Sequence, residues 1–116
     1  MRHVEERQEW DGKPLSEPVL LILASLAAGP RHGYALMKDI EALSNGRVRM
    51  STGTLYGALR RLLEEQWIER FEQKDTSREK QAYRLNAEGR GRLEFEVERM
   101  KQLTRAASAR LRTKEA

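Results

Sequence analysis

The stretch Val19-Leu20-Leu21-Ile22-Leu23-Ala24-Ser25-Leu26-Ala27-Ala28, apolar but for one serine, constrains the chain more than any other feature. A bilayer span takes about 20 apolar residues, so this run must be buried in protein. Ser16 is placed to cap a helix over it, Glu17 and Pro18 suit a first turn, and Gly29-Pro30 stops it. Apolar residues on nearly every side predict a helix buried all round. In a chain of 116 residues there is room for one domain. A domain of that size buries only about two-thirds of its unfolded surface. Self-association would add core, and a dimer is expected.

The rest of the pattern is mainly helical. Leu36, Met37, Ile40 and Leu43 share one face of a helix from Gly33 to Leu43, ended by Ser44-Asn45-Gly46. A basic connection follows, and Ser51 or Thr52 caps a third helix that runs to about Gln66 with Leu55, Leu59, Leu62 and Leu63 inward. The period then changes. Residues 67–71 and 82–85 read as two short strands around a polar loop, a β-hairpin. Asn86 caps a final helix to about Arg112. The expected fold is mainly α with a small β-hairpin. Residues 1–15 form an N-terminal arm with a lone Trp10, and 113–116 a tail.

The third helix carries the chemistry. At 100° per residue, Gly53, Gly57, Arg60 and Glu64 fall opposite its leucines, flanked by Thr54, Tyr56 and Arg61. Two exposed helical glycines cost roughly 1 kcal/mol each against alanine. Such a cost is kept where something must approach the backbone closely. Hydroxyls and guanidiniums beside them are the groups that bond phosphates and base edges. A helix, a short connection and a second helix with Arg47 and Arg49 just before it make a helix-turn-helix. The hairpin loop adds Lys74, Arg78 and Lys80, so it reads as a basic wing. Residues 47–84 hold nine basic and six acidic side chains, a modest excess within a chain of net charge +4.

Other classes fall away. There is no cysteine, hence no disulfide, Fe–S cluster or Cys-type zinc site, which fits a cytoplasmic protein. The first nine residues are too polar for a signal peptide, and no membrane association is expected. His3 and His32 are the only histidines and lack a second ligand at metal spacing. No nucleophile–base pair and no Gly-rich phosphate loop is visible. No catalytic residue, metal or cofactor is therefore expected.

Three blocks, Gly29-Pro30-Arg31-His32-Gly33-Tyr34, Ser51-Thr52-Gly53-Thr54-Leu55-Tyr56-Gly57-Ala58-Leu59-Arg60-Arg61-Leu62 and Tyr83-Arg84-Leu85-Asn86-Ala87-Glu88-Gly89, resemble the PadR family of bacterial transcriptional regulators. The match covers residues 16 to about 112, and the length is similar to the subfamily with a single C-terminal helix. The resemblance implies a winged helix-turn-helix over 16–86 and a dimerisation helix over 87–112. It further implies a homodimer on a palindromic operator in double-stranded DNA, usually as a repressor, with small aromatic or amphipathic effectors. Ser51, Thr52, Thr54, Tyr56 and Arg60 match the recognition-helix block. Arg49 and Arg61 flank it. Tyr34 matches the family's Gly-Tyr pair, and Lys74, Arg78 and Lys80 match the basic character of the wing. This chain departs from the pattern at Gly57 and Thr52, where proline is frequent, and its last helix lacks the tryptophan of drug-binding members.

The last helix wants a partner. Leu93, Val97, Met100, Thr104, Ala107 and Leu111 follow one another at spacings of 4, 3, 4, 3 and 4, a heptad seam with one polar lapse. A helix of about 25 residues spans roughly 37 Å, more than a three-helix core covers. A symmetric dimer would set two recognition helices roughly 34 Å apart, one turn of DNA. Trp10, Phe95 and Met100 are candidates to line a ligand pocket in the dimer gap. The competing reading is a winged-helix protein-interaction module without DNA binding, since fold does not fix function.

Overall fold

The computed structural model describes residues 13–71 and 81–113. Most of the arm with Trp10, the wing tip with Lys74, Arg78 and Lys80, and most of the tail lie outside the described residues.

Helix α1 spans Glu17–Ala27, and the Ser16 hydroxyl accepts the Val19 N–H at its start. Strand β1, Arg31–His32, leads directly into α2, Gly33–Leu43. Asn45 then turns the chain with a left-handed backbone, φ 56°. Its N–H donates to Ala42 O and that of Gly46 to Glu41 O, which satisfies the last carbonyls of α2. Helix α3 spans Thr52–Glu64. Of the two candidate caps the structure uses Ser51, whose Oγ accepts the Thr54 N–H at 3.1 Å. Strands β2, Ile68–Phe71, and β3, Ala82–Leu85, precede α4, Ala87–Arg112, which Asn86 caps through the Gly89 N–H.

The sheet is antiparallel in the order β1-β3-β2, with Arg31 opposite Tyr83 and Ile68 opposite Leu85. The expected hairpin is therefore β2–β3, and β1 adds a third strand. Two residues are too few to show a period, which is why the sequence pattern does not reveal β1. The architecture is a winged helix-turn-helix with a long C-terminal helix.

Ile22, Leu23, Leu26, Leu36, Ile40, Leu55, Leu59, Leu62, Trp67, Ile68 and Tyr83 form the core. Ser25, the polar exception in the apolar run, is buried for a reason. Its Oγ donates to Asp39 Oδ2 at 2.6 Å, and its carbonyl accepts from Arg31 Nε at 3.2 Å. Arg31 also pairs with Asp39, so α1, β1 and α2 share one polar clasp.

Three expectations are corrected. Helix α1 is not buried all round: Leu20 and Leu21 are half-buried and Ala24 is exposed, because α4 covers only part of that side. Leu43 is half exposed at the last turn of α2. The buried position there goes to Ser44, whose Oγ accepts the Val48 N–H at 2.9 Å. Helix α3 ends at Glu64, two residues short of Gln66, because Gln66 adopts φ 66°. The Gln66 N–H donates to Leu63 O and the Trp67 N–H to Leu62 O, which closes the helix end.

Candidate nucleic-acid interface

Helix α3 divides cleanly. Leu55, Ala58, Leu59 and Leu62 are buried, while Ser51, Thr52, Gly53, Thr54, Arg60 and Arg61 are exposed on the solvent side. Ser51 Oγ donates to Thr54 Oγ1 at 3.0 Å, which orders the two hydroxyls at the leading end. Gly53 and Gly57 have open space where a Cβ would go, so no packing contact among the described residues requires glycine at either position.

Tyr56 behaves differently. It is half-buried and packs against the core, and its hydroxyl closes on Gly33, the first residue of α2. The tyrosine therefore braces the helix-turn-helix and leaves one edge to solvent. Tyr34 is 65% exposed, with Lys38 Nζ 5.8 Å from its ring centroid.

The cations fall into two groups. Arg49 is exposed and pairs with Glu41 at 3.3 Å, and Arg47 pairs with Glu17. Arg84 pairs across the sheet with Glu69 at 3.2 Å and lies over Phe71. Arg60 and Arg61 make no ion pair with another described residue. Their guanidiniums, beside glycine backbone and three hydroxyl side chains, form a donor-rich surface of the chemical kind that can bond phosphates and base edges.

A second face lies on α1 and α4. Leu15, Leu20, Leu21, Ala24, Leu93, Val97 and Met100 line an apolar groove with Glu17 and Arg99 at its rim. Beyond it the seam continues in the open, with Thr104, Ala107 and Leu111 exposed and Leu111 at 85%. Phe95 is exposed and does not line the groove, so the structure separates it from Met100. Trp10 lies outside the described residues.

The sequence pattern gave no sign of Glu96. Its side chain is fully buried on α4, where Oε2 accepts the Leu15 N–H at 2.9 Å and Arg99 donates to both carboxylate oxygens. The Arg99 hydrogen bond, helped by the Leu15 N–H and opposed by burial, holds the carboxyl below the usual range. Nearby, burial lowers the pKa of Arg92, whose guanidinium stacks 4.6 Å from the Trp67 ring centroid. Among the described residues, no group of three or more His, Cys, Asp or Glu gathers as a metal site would require. No helix among them is long and apolar enough to cross a membrane.

The "Transcriptional regulator PadR-like family" matches residues 22–95. An uncharacterized 37.1 kDa protein in transposon TN4556 of Streptomyces fradiae is 40% identical over 85 residues, which are 73% of this chain and 23% of that protein. The chain thus spans about a quarter of that relative's length. A PadR-like transcriptional regulator from Bacillus cereus superposes with a TM-score of 0.68 at 20% identity, covering 83% of this chain and 92% of that one. Bacillus subtilis PadR, solved in complex with operator DNA, superposes with a TM-score of 0.60 at 23% identity over 71% of this chain and 46% of that one. Family members are transcriptional regulators rather than enzymes. With its winged helix-turn-helix, its polar outer face on α3 and the family match across most of its core, this chain belongs to the PadR-like family of transcriptional regulators.

Proposed function

We propose that the chain is a sequence-specific DNA-binding regulator that acts as a homodimer on a palindromic operator. The observation that carries this is the solvent side of α3, where Arg60 and Arg61 stand without a carboxylate partner among the described residues beside exposed Ser51, Thr52 and Thr54. The operator complex of Bacillus subtilis PadR supports the same use of the fold. In this reading residues 16–86 bind DNA, α3 enters the major groove by its N-terminal end, and Tyr34 and Arg49 meet the flanking backbone. Lys74, Arg78 and Lys80 of the wing add phosphate contacts.

Residues 87–112 form the dimerisation element. A second copy of α4 lies in the groove between α1 and α4, covers Leu20, Leu21, Leu93, Val97 and Met100, and continues along Thr104, Ala107 and Leu111. This accounts for an α1 that is apolar on nearly every side yet incompletely buried in one chain. The finer features are repression in the cytoplasm and release by a small aromatic or amphipathic effector seated beside Met100 in the gap between copies.

Gel-shift titration against the promoter region of its own operon, at two salt concentrations, tests the reading. Phosphate-dominated binding weakens steeply as salt rises, and a specific site survives competitor DNA. Equal affinity for every duplex, or no shift at low salt, contradicts it and leaves the protein-interaction module.

A further inference from the structure

We infer that Asn86 is a positioning residue that fixes the angle between α3 and α4 and thereby sets the half-site spacing the dimer accepts. The inference rests on the dimeric DNA-binding reading above and adds a residue outside its contact surface.

Gln66 and Trp67 connect the end of α3 to β2, and the start of α4 is fastened to both. The Asn86 Nδ2 donates to Gln66 O at 2.7 Å, and the Asn86 backbone N–H donates to Trp67 O at 3.1 Å. The Asn86 Oδ1 accepts the Gly89 N–H at 2.8 Å. One side chain therefore serves both helices: its oxygen caps α4, and its amide grips the carbonyl of the residue that closes α3. Gly89 lets the two backbones meet, since a Cβ there would stand 2.1 Å from Trp67 O. One turn further, Arg92 lies over the Trp67 ring. Helix α4 also touches α1 and β3, but the Asn86 amide bonds to the turn that closes the DNA-facing helix.

The geometry amplifies small changes. Helix α4 has 26 residues, about 39 Å at 1.5 Å each. Tilting it by about 10° at its base swings the far end by roughly 7 Å, the rise of two base pairs. A loosened clasp thus becomes a loosened distance between the two recognition helices.

The test separates cap from clasp. Asn86→Asp keeps the acceptor for Gly89 N–H, and Asp caps as well as Asn, but it loses the donor to Gln66 O. Asn86→Ser is a second capping variant too short to reach that carbonyl. The chain has no cysteine, so Glu64→Cys and Gln102→Cys accept one spin label each, on exposed positions of α3 and α4. Labelled chains are diluted in unlabelled parent so that the distance read is within one chain. The parent gives a narrow distribution, and both variants broaden it by several ångströms while melting near the parent. On duplexes built from the half-site that selection returns, with the centre lengthened or shortened by one base pair, the variants lose up to about tenfold of the parent's spacing preference, the equivalent of one hydrogen bond. An unchanged label distribution overturns the inference, as does an unchanged spacing preference in a variant that binds. A parent for which selection returns no half-site counts against the proposed function instead, and the label distance still decides the clasp.

Discussion

The hydroxyl of Tyr56 occupies the space that a side chain on Gly33 would need: a Cβ there would lie 2.1 Å from Oη. The first residue of α2 and the outer edge of α3 meet at close approach there. Gly33→Ala should cost about 1–3 kcal/mol through overpacking, a fall of several degrees in Tm. Tyr56→Phe removes the hydroxyl and should recover part of that loss in the double variant. Thermal unfolding of the two singles and the double gives the coupling, and strict additivity would argue against the contact.

The buried Glu96 carboxylate ties Leu15, just ahead of α1, to α4. Its pKa is lowered, chiefly by the Arg99 hydrogen bond. A group depressed in the folded state contributes stability that is fully present above its unfolded pKa and lost as pH falls through the folded one. Stability should therefore decline below the ordinary carboxylate range, and Glu96→Gln should remove that component. Hydrogen bonds to a charged group are worth roughly 1.5–3 kcal/mol, so the variant should be less stable at neutral pH by up to about that amount. Denaturant midpoints across the acidic range check both statements. A Glu96→Gln profile parallel to the parent's would show that the carboxylate is not responsible.

Gln66 sits at φ 66° with its side chain exposed. Glycine adopts that backbone without cost, so Gln66→Gly should stabilise the chain by up to about 1 kcal/mol. Equilibrium unfolding in urea measures this, and a lower midpoint would contradict it.

The seam on α4 should be separable from the fold. Val97→Glu places a charge in the groove between α1 and α4, where Val97 is 38% exposed in one chain. Light scattering should report a monomer that retains its helical circular dichroism. A variant that stays dimeric would move the interface elsewhere.

Much of this architecture was legible in the chain itself. Ser16, Ser51 and Asn86 act as caps where their types and positions pointed, and the leucines of α3 face inward as their spacing demands. What escaped was tertiary. Arg31–His32 became a strand only because β3 lies beside it, Gln66 ended α3 without the glycine that usually marks such an end, and Leu43 yielded its buried place to Ser44. Glu96 looks like any acidic residue on a charged helix, and its role follows from Leu15, 81 positions away. Phe95 and Met100 are near in sequence, yet only Met100 lines the groove. At the candidate interface, residue type was enough to suggest Arg60 and Thr54, but that Tyr56 braces Gly33 follows from the way α2 and α3 pack.

On the proposed reading, the outer side of α3, doubled by a twofold axis, reads duplex DNA. Sequencing of duplexes that the parent and Arg60→Ala each select from a random pool tests it most directly. The parent should enrich two inverted half-sites about one helical turn apart, and Arg60→Ala should weaken specific binding by roughly 1–3 kcal/mol while relaxing preference at one position in each half-site. Enrichment of nothing, or of the same sequences with the same affinity by both proteins, would contradict the claim.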